Sequence, residues 1–428
     1  MNFPDEFLIG TATAAHQVEG NNIYSDFWAM EQMKHSMFAE PSKDAVDHYH
    51  HYEEDIRLMA ESGLNAYRFS IEWARIQPTE EEWNETEIDH YRKVLLCCHE
   101  NGITPIVTMH HFSSPKWLIS SGGWENPQTA ELFAAYCKRV IEELGNLMEY
   151  VCTINEANMG VQIAHMMQDE NDGKNTENVQ VGLSDLDHTF DFQAAMQETA
   201  ETFGCDPTKL NIFLFPRSPE GDKIIIDAHK KARDAMKEVC PKLKIGMTLS
   251  LYDIQTIAGG EKKAAEAWEE DFGHYLPAIK NDDFIGVQNY TRKIMGANGA
   301  MPVPEGSECT QMGYEYYPQG IAHVVRRVAE VFKGEILVTE NGIATDNDER
   351  RVEFIRVALE GLLECIEDGI KLKGYMHWSF VDNFEWMAGY VPTFGLVKVD
   401  RKTQTRYPKP SLKLLGSMAK GEKSWNGI

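Results

Sequence analysis

Eight short apolar runs recur along the chain, each followed by a stretch whose apolar residues return with the period of a helix. The runs are FLIGTATA (7–14), NAYRFSI (65–71), TPIVTMHH (104–111), YVCTIN (150–155), KIGMTLSLY (244–252), FIGVQNY (284–290), EILVTE (335–340) and GYMHWSF (374–380). Most lack the apolar–polar alternation of a half-exposed strand. That is the pattern of parallel strands covered on both faces. Between them the sequence predicts helices. DHYHHYEEDIRLMAESG sets Ile56, Leu58 and Met59 on one stripe and stops at Gly63. TAELFAAYCKRVIEELG ends at Gly145, DKIIIDAHKKARDAMKEVCP stops at Pro241, and RRVEFIRVALEGLLECIEDG leads into the eighth run. No low-complexity tract or linker divides the series. Eight evenly spread βα units predict an α/β fold, a single (β/α)8 barrel of the TIM type over residues 1–428, rather than an open doubly wound sheet. The segment 157–243 is too long for one helix and is expected to add loops and helices to the rim.

In such barrels functional side chains gather at the C-terminal ends of the strands. Two strand-like runs end on a carboxylate: ILVTENG carries Glu340 and Asn341, and YVCTINEA carries Asn155 and Glu156. Gln17 follows the first run, Arg68 lies in the second, His110 and His111 end the third, and Tyr290 ends the sixth. All are expected at one mouth. Two carboxylates across a neutral cleft are the machinery of glycoside hydrolysis, with one ionised as nucleophile and the other protonated as general acid. Arg68 and Tyr290 would favour the charged form of Glu340. Glu156 follows an apolar strand with no cation nearby, which would raise its pKa. Taken alone, a strand-end glutamate is equally open to a role as metal ligand, base or ion-pair partner.

Composition narrows the partners. The 428 residues are 43% hydrophobic and 25% charged, an ordinary globular balance, and the net charge is −26. That acidity argues against nucleic acid and anionic membranes, and fits a neutral small-molecule substrate. No stretch approaches the roughly 20 apolar residues of a membrane span. Asp5 and Glu6 stand where a signal peptide carries Lys or Arg, so a cytoplasmic location is expected. The eight cysteines form no CxxC pair, so reduced, buried thiols are expected rather than zinc or disulfides. The oligomeric state is left open.

The same residues carry a resemblance. The chain resembles the family 1 glycoside hydrolases, the retaining β-glucosidases and β-galactosidases. The likeness runs from FLIGTATAAHQVEG through DHYHHYEEDIRLMAESGLNAYRFSIEWARIQP, TINEA, DFIGVQNYT and VTENG to GYMHWSFVDNFEWMAGYVPTFGLVKVD. It implies Glu156 as acid/base and Glu340 as nucleophile, with Arg68 and Tyr290 as partners of the nucleophile. It implies that Asn155 contacts the sugar 2-hydroxyl. Gln17, His111, Trp378, Glu385, Trp386 and Phe394 would bind the sugar, and no cofactor or metal is required. The carboxyl separation would be the roughly 5–5.5 Å of retaining enzymes.

The chain departs from the family pattern at several points. His111-Phe112-Ser113 replaces His-Trp-Asp, Ala157 replaces the Pro after the acid/base, Gln288-Asn289-Tyr290 replaces Asn-Tyr-Tyr, and Thr393 replaces Arg. These changes bear on the substrate more than on the reaction. The branch that cleaves 6-phospho-glycosides carries Ser at the position of Glu385 and a Lys just downstream. Neither is present, and a carboxylate there would repel a phosphate, so unphosphorylated β-glycosides, chiefly β-glucosides, are expected. A 6-phospho-β-glycosidase, a transglycosylating relative and a sugar-binding relative are the alternatives.

Other conspicuous residues receive plain readings. HYHHY (48–52) is expected to be structural, His110 to pack behind His111 because strand side chains alternate, Glu72 to be a salt-bridge partner, and Trp28 and Trp124 to be core or rim. Met166, Met167, Met301 and Met312 suggest either an adaptable aglycone pocket or ordinary loop packing.

Overall fold

The strands form as patterned and close on themselves. In this computed structural model, which describes residues 3–171, 180 and 191–422, the strands are β1 (Leu8–Ala12), β2 (Ala66–Ser70), β3 (Thr104–His110), β4 (Tyr150–Ile154), β5 (in two pieces, Lys244–Gly246 and Thr248–Ser250), β6 (Phe284–Gln288), β7 (Glu335–Asn341) and β8 (Leu372–Trp378). β8 pairs in parallel with both β7 and β1. The first piece of β5 pairs with β4 and the second with β6. The barrel therefore closes across a strand broken at Met247. Every position of β2, β4 and β6 is buried. This is why those runs show no alternation: one face looks into the barrel and the other meets the helices.

The helices bury the stripes that define them. Asp348–Glu367 starts at Asn347, whose side chain accepts from the Glu349 N–H, and it buries Phe354, Ile355, Ala358, Leu359 and Leu362. Removing one such side chain, as in Leu359→Ala, costs about 2–5 kcal/mol. His48–Ser62 buries Ile56 and Met59, leaves Leu58 half-buried, and stops at Gly63, whose φ of 105° suits only glycine. Its histidines each face a separate carboxylate: His48 meets Asp55, His50 meets Asp47 and His51 meets Glu54. The expected additions to the rim are present as Met159–Asn171, Phe192–Phe203 and the turn Pro207–Lys209, ahead of the barrel helix Pro219–Val239. Residues 172–179 and 181–190 of that segment lie outside the described residues.

Two small sheets have no counterpart in the eight-run reading. Asp253–Thr256, Arg292–Gly296 and Gly299–Ala300 form one on the rim, and Val397–Asp400 pairs with Thr405–Pro408 in the other. They are too short to leave a periodic signal. Among the described residues no helix is long and apolar enough to cross a membrane. All eight cysteines are free, most of them buried.

Candidate active site

Glu340 owes its direction to a bulge. β7 pairs with β6 one residue to one from Glu335 to Val338; Thr339 is then skipped, and Glu340 falls opposite Gln288. A bulge moves the following side chain to the other face. Here it puts Glu340 beside Arg68 of β2. The Arg68 Nη1 donates to Glu340 Oε1, Nη2 donates to Asn155 Oδ1 at 2.6 Å, and Nε donates to Thr108 at 3.0 Å. The Tyr290 hydroxyl donates to the other carboxylate oxygen at 2.6 Å.

Glu156 is held differently. Its backbone is left-handed, with φ 42°. Such a conformation in a non-glycine residue costs on the order of 1–3 kcal/mol and has to be held by its surroundings. The holder is Thr248 of β5, which accepts from the Glu156 N–H through its hydroxyl at 3.0 Å and from the Ala157 N–H through its carbonyl at 3.1 Å. Phe112 (φ 68°) and Trp386 (φ 49°), which line the same space, share the left-handed region.

That space is a pocket at the mouth of the barrel, lined by aromatic rings and carboxyl groups. Of the residues singled out in the sequence, His111, Glu156, Tyr290, Glu340, Trp378, Glu385, Trp386 and Phe394 line it. Arg68, Asn155 and Gln17 sit fully buried directly behind. Asn155 Nδ2 donates to His111 Nε2 at 3.1 Å. This fixes the tautomer, so His111 Nδ1 carries the proton, and that buried nitrogen has no partner in the protein. Gln17 donates to Glu385 Oε2 at 3.4 Å and to the Phe384 carbonyl at 2.7 Å. Gln17 Oε1 and Glu385 Oε1 are likewise buried without a partner. Buried polar atoms left open in this way are expected where a ligand supplies the missing bonds. Aromatic rings form the walls, with Trp378 and Trp386 stacked near His111 at 5.7 and 6.0 Å.

The two carboxyl groups differ in charge preference. Burial pushes both up. Arg68, Tyr290 and Gln288 pull Glu340 back toward its charged form. Glu156 is held well above the usual range by burial and then by the charge of Glu340, with the Ser250 hydroxyl its largest opposing influence. Glu156 is therefore the last of the pair to lose its proton. Burial first of all, with a contribution from Glu340, raises Glu385 to about 8. A phosphate at that position would meet a carboxyl group. Among the described residues the lining holds no Lys or Arg to pair with a phosphate.

Other expectations divide. His110 points away from the cavity to Ser114 (3.0 Å) and packs on Trp124 and Phe213. Trp124 is core and Trp28 is half-buried. Glu72 is not a salt-bridge partner: it caps Trp73–Ile76 and accepts from Ser113 at 2.6 Å, with no cation partner among the described residues. Of the four methionines only Met312 lines the cavity. Met301 is exposed, and Met166 and Met167 pack on the core. Sequence reasoning missed Gln180, Tyr314 and Gln288. Gln180 lines the cavity and accepts from the Tyr290 N–H at 2.7 Å. Gln180 and Tyr314 come from rim segments without periodic signal. Gln288 is visible in the sequence only as a departure from a motif.

Comparison with known proteins agrees with this geometry. The model of Glycosyl hydrolase family 1 matches residues 1–190 and 272–424. A β-glucosidase of Agrobacterium sp. is 30% identical over 98% of this chain and 95% of its own length. A 1,4-β-D-glucan glucohydrolase of Thermotoga neapolitana is 29% identical over 96% of each. Among solved structures, a β-glycosidase is 44% identical with a TM-score of 0.88, covering 97% of both chains. A β-glucosidase is 39% identical with a TM-score of 0.87, covering 97% of this chain and 98% of its own.

Proposed function

The chain belongs to glycosyl hydrolase family 1 and is a glycoside hydrolase, and from that membership we propose that it hydrolyses unphosphorylated β-glucosides with retention of configuration. The observation that carries the reading is the asymmetry of two buried carboxyl groups on one cavity. Glu340 has a cation and two neutral donors, whereas Glu156 has the charge of Glu340 in front of it.

In the first step a Glu340 oxygen attacks the anomeric carbon, and the bond to the leaving oxygen breaks. Glu156 delivers its proton to that oxygen, so the aglycone departs as a neutral alcohol. Forming the glycosyl ester removes the negative charge of Glu340. One of the influences that kept Glu156 protonated then disappears, and Glu156, now ionised, takes a proton from water as that water attacks the same carbon and the bond to Glu340 breaks. Two inversions give net retention. Asn155 and His111 would meet hydroxyls near the reacting carbon, and Gln17, Glu385 and Trp386 the far side of the ring. Phe394 and Trp378 supply apolar faces.

The support for glucose is the agreement of names among the relatives. The support for an unphosphorylated sugar is a lining without Lys or Arg among the described residues. Nitrophenol release from β-glucoside, β-galactoside, β-fucoside and 6-phospho-β-glucoside, with the first-formed anomer read by NMR, tests both points. Turnover led by the glucoside, releasing β-glucose first, is expected. Turnover of the phosphate alone, or α-sugar as first product, would overturn the reading.

A further inference from the structure

Gln288 ends β6 where the resembling family carries Asn, and its side chain is completely buried. The amide nitrogen donates to Glu340 Oε1 at 3.1 Å and to Asn155 Oδ1 at 2.8 Å, with a longer contact to the Thr248 hydroxyl at 3.4 Å. The contact depends on the bulge, since skipping Thr339 is what sets Glu340 opposite Gln288 in the register. The orientation of the amide is forced. Turned over, its oxygen would face two oxygens that themselves only accept, whereas in the observed setting Oε1 points away, buried and free of any protein partner.

Its two nearer acceptors are shared with Arg68, which donates to the same Glu340 oxygen and the same Asn155 oxygen. Asn155 Oδ1 is thereby occupied by both, with the Thr248 hydroxyl a third donor at 3.3 Å, and its Nδ2 is turned outward to His111. Glu340 Oε1 is likewise occupied by two donors. Oε2, with Tyr290 as its one donor, is left the less encumbered oxygen.

We propose that Gln288 is a positioning residue for both halves of the glycone site: its one NH2 group locks the nucleophile carboxylate to the asparagine that meets the sugar 2-hydroxyl, so that attack and 2-hydroxyl recognition are set by a single side chain. This rests on the β-glycosidase reading of Glu340 and Asn155.

The test compares wild type with Gln288→Leu and Gln288→Asn on nitrophenyl β-glucoside and nitrophenyl 2-deoxy-β-glucoside, from pH 4 to 9, with thermal melting alongside. A lost bond to a charged group predicts a fall in kcat/KM of about 10- to 100-fold for Leu, less for Asn. The fall lies mainly in kcat and is smaller on the 2-deoxy substrate, where the 2-hydroxyl contribution is already absent. The acid limb of the profile moves to higher pH in both variants, because removing a donor to the carboxylate disfavours its charged form. If Leu does not fold, Asn carries the test. An unmoved acid limb with equal losses on the two substrates would overturn the proposal and leave Gln288 a packing residue. Wild-type silence on every β-glycoside would instead overturn the reading beneath it.

Discussion

The β7 wall and the β4 wall of the cavity each present one glutamate, and the two are treated in opposite ways. On the β7 wall the carboxylate is surrounded by donors: Arg68 and Gln288 on one oxygen, Tyr290 on the other. On the β4 wall the backbone is the tightly held part. Thr248 pins a left-handed turn, while the carboxyl meets the Ser250 hydroxyl and the field of Glu340. Identical side chains therefore end with different proton affinities, because one wall stabilises a charge and the other stabilises a shape. Burial is common to both and separates nothing by itself.

Removing the group on the β7 wall should have the largest effect. Glu340→Ala is expected to lower kcat by about a hundred-thousandfold or more. Azide should restore turnover of an activated aryl β-glucoside and yield the α-glycosyl azide. Rescue to the β-azide would exchange the roles of the two walls. Glu156→Gln comes next, at roughly 10²–10⁴-fold for substrates with poor leaving groups. Its formation of the glycosyl ester from a dinitrophenyl glucoside should be nearly spared, and the alkaline fall in rate should vanish. A loss independent of leaving group would count against Glu156 as the acid.

Smaller changes probe the surroundings rather than the carboxyls. Arg68→Met leaves Glu340 buried without its cation. About a hundredfold loss in kcat/KM and a lowered Tm are expected, since breaking a buried pair costs about 3–5 kcal/mol. Tyr290→Phe removes one neutral donor. It should cost about tenfold and move the acid limb upward, because Glu340 must be ionised to act and its charged form loses support. Ser250→Ala is the mildest, at about threefold or less in kcat. Here the basic limb moves upward: Glu156 must be protonated to act, and losing a donor to its charged form lets it keep its proton to higher pH. If Tyr290→Phe and Ser250→Ala shifted the same limb, the contrast between the walls would fail.

Both glutamates are legible in the sequence because strand ends are local. An apolar run followed by Asn-Glu or Glu-Asn-Gly marks where a barrel strand reaches its mouth, and the helix stripes between runs count the strands. Arg68, Asn155 and Tyr290 are readable for the same reason. Glu72 defeats the sequence reading because a buried carboxylate can be satisfied by a serine hydroxyl and a helix N-terminus as well as by a cation, and Ser113 lies far from it in sequence. At Glu385 the sequence reveals the position but carries no sign of the raised proton affinity. Its proton affinity depends on how deeply the closed cavity excludes water. Met312 is separable from Met301 only by where a non-periodic rim loop folds back.

The sequence by itself determined the eight-fold alternation and the strand ends that carry Glu156 and Glu340, since each strand and its end are written in a few neighbouring residues. The tertiary structure alone decided that Thr339 is skipped against β6, that Gln288 consequently reaches Glu340, and that Gln180 and Tyr314 help line the cavity. Register between strands, and the water excluded when loops from distant parts of the chain meet, are sums over many long-range contacts, and no local pattern encodes such a sum.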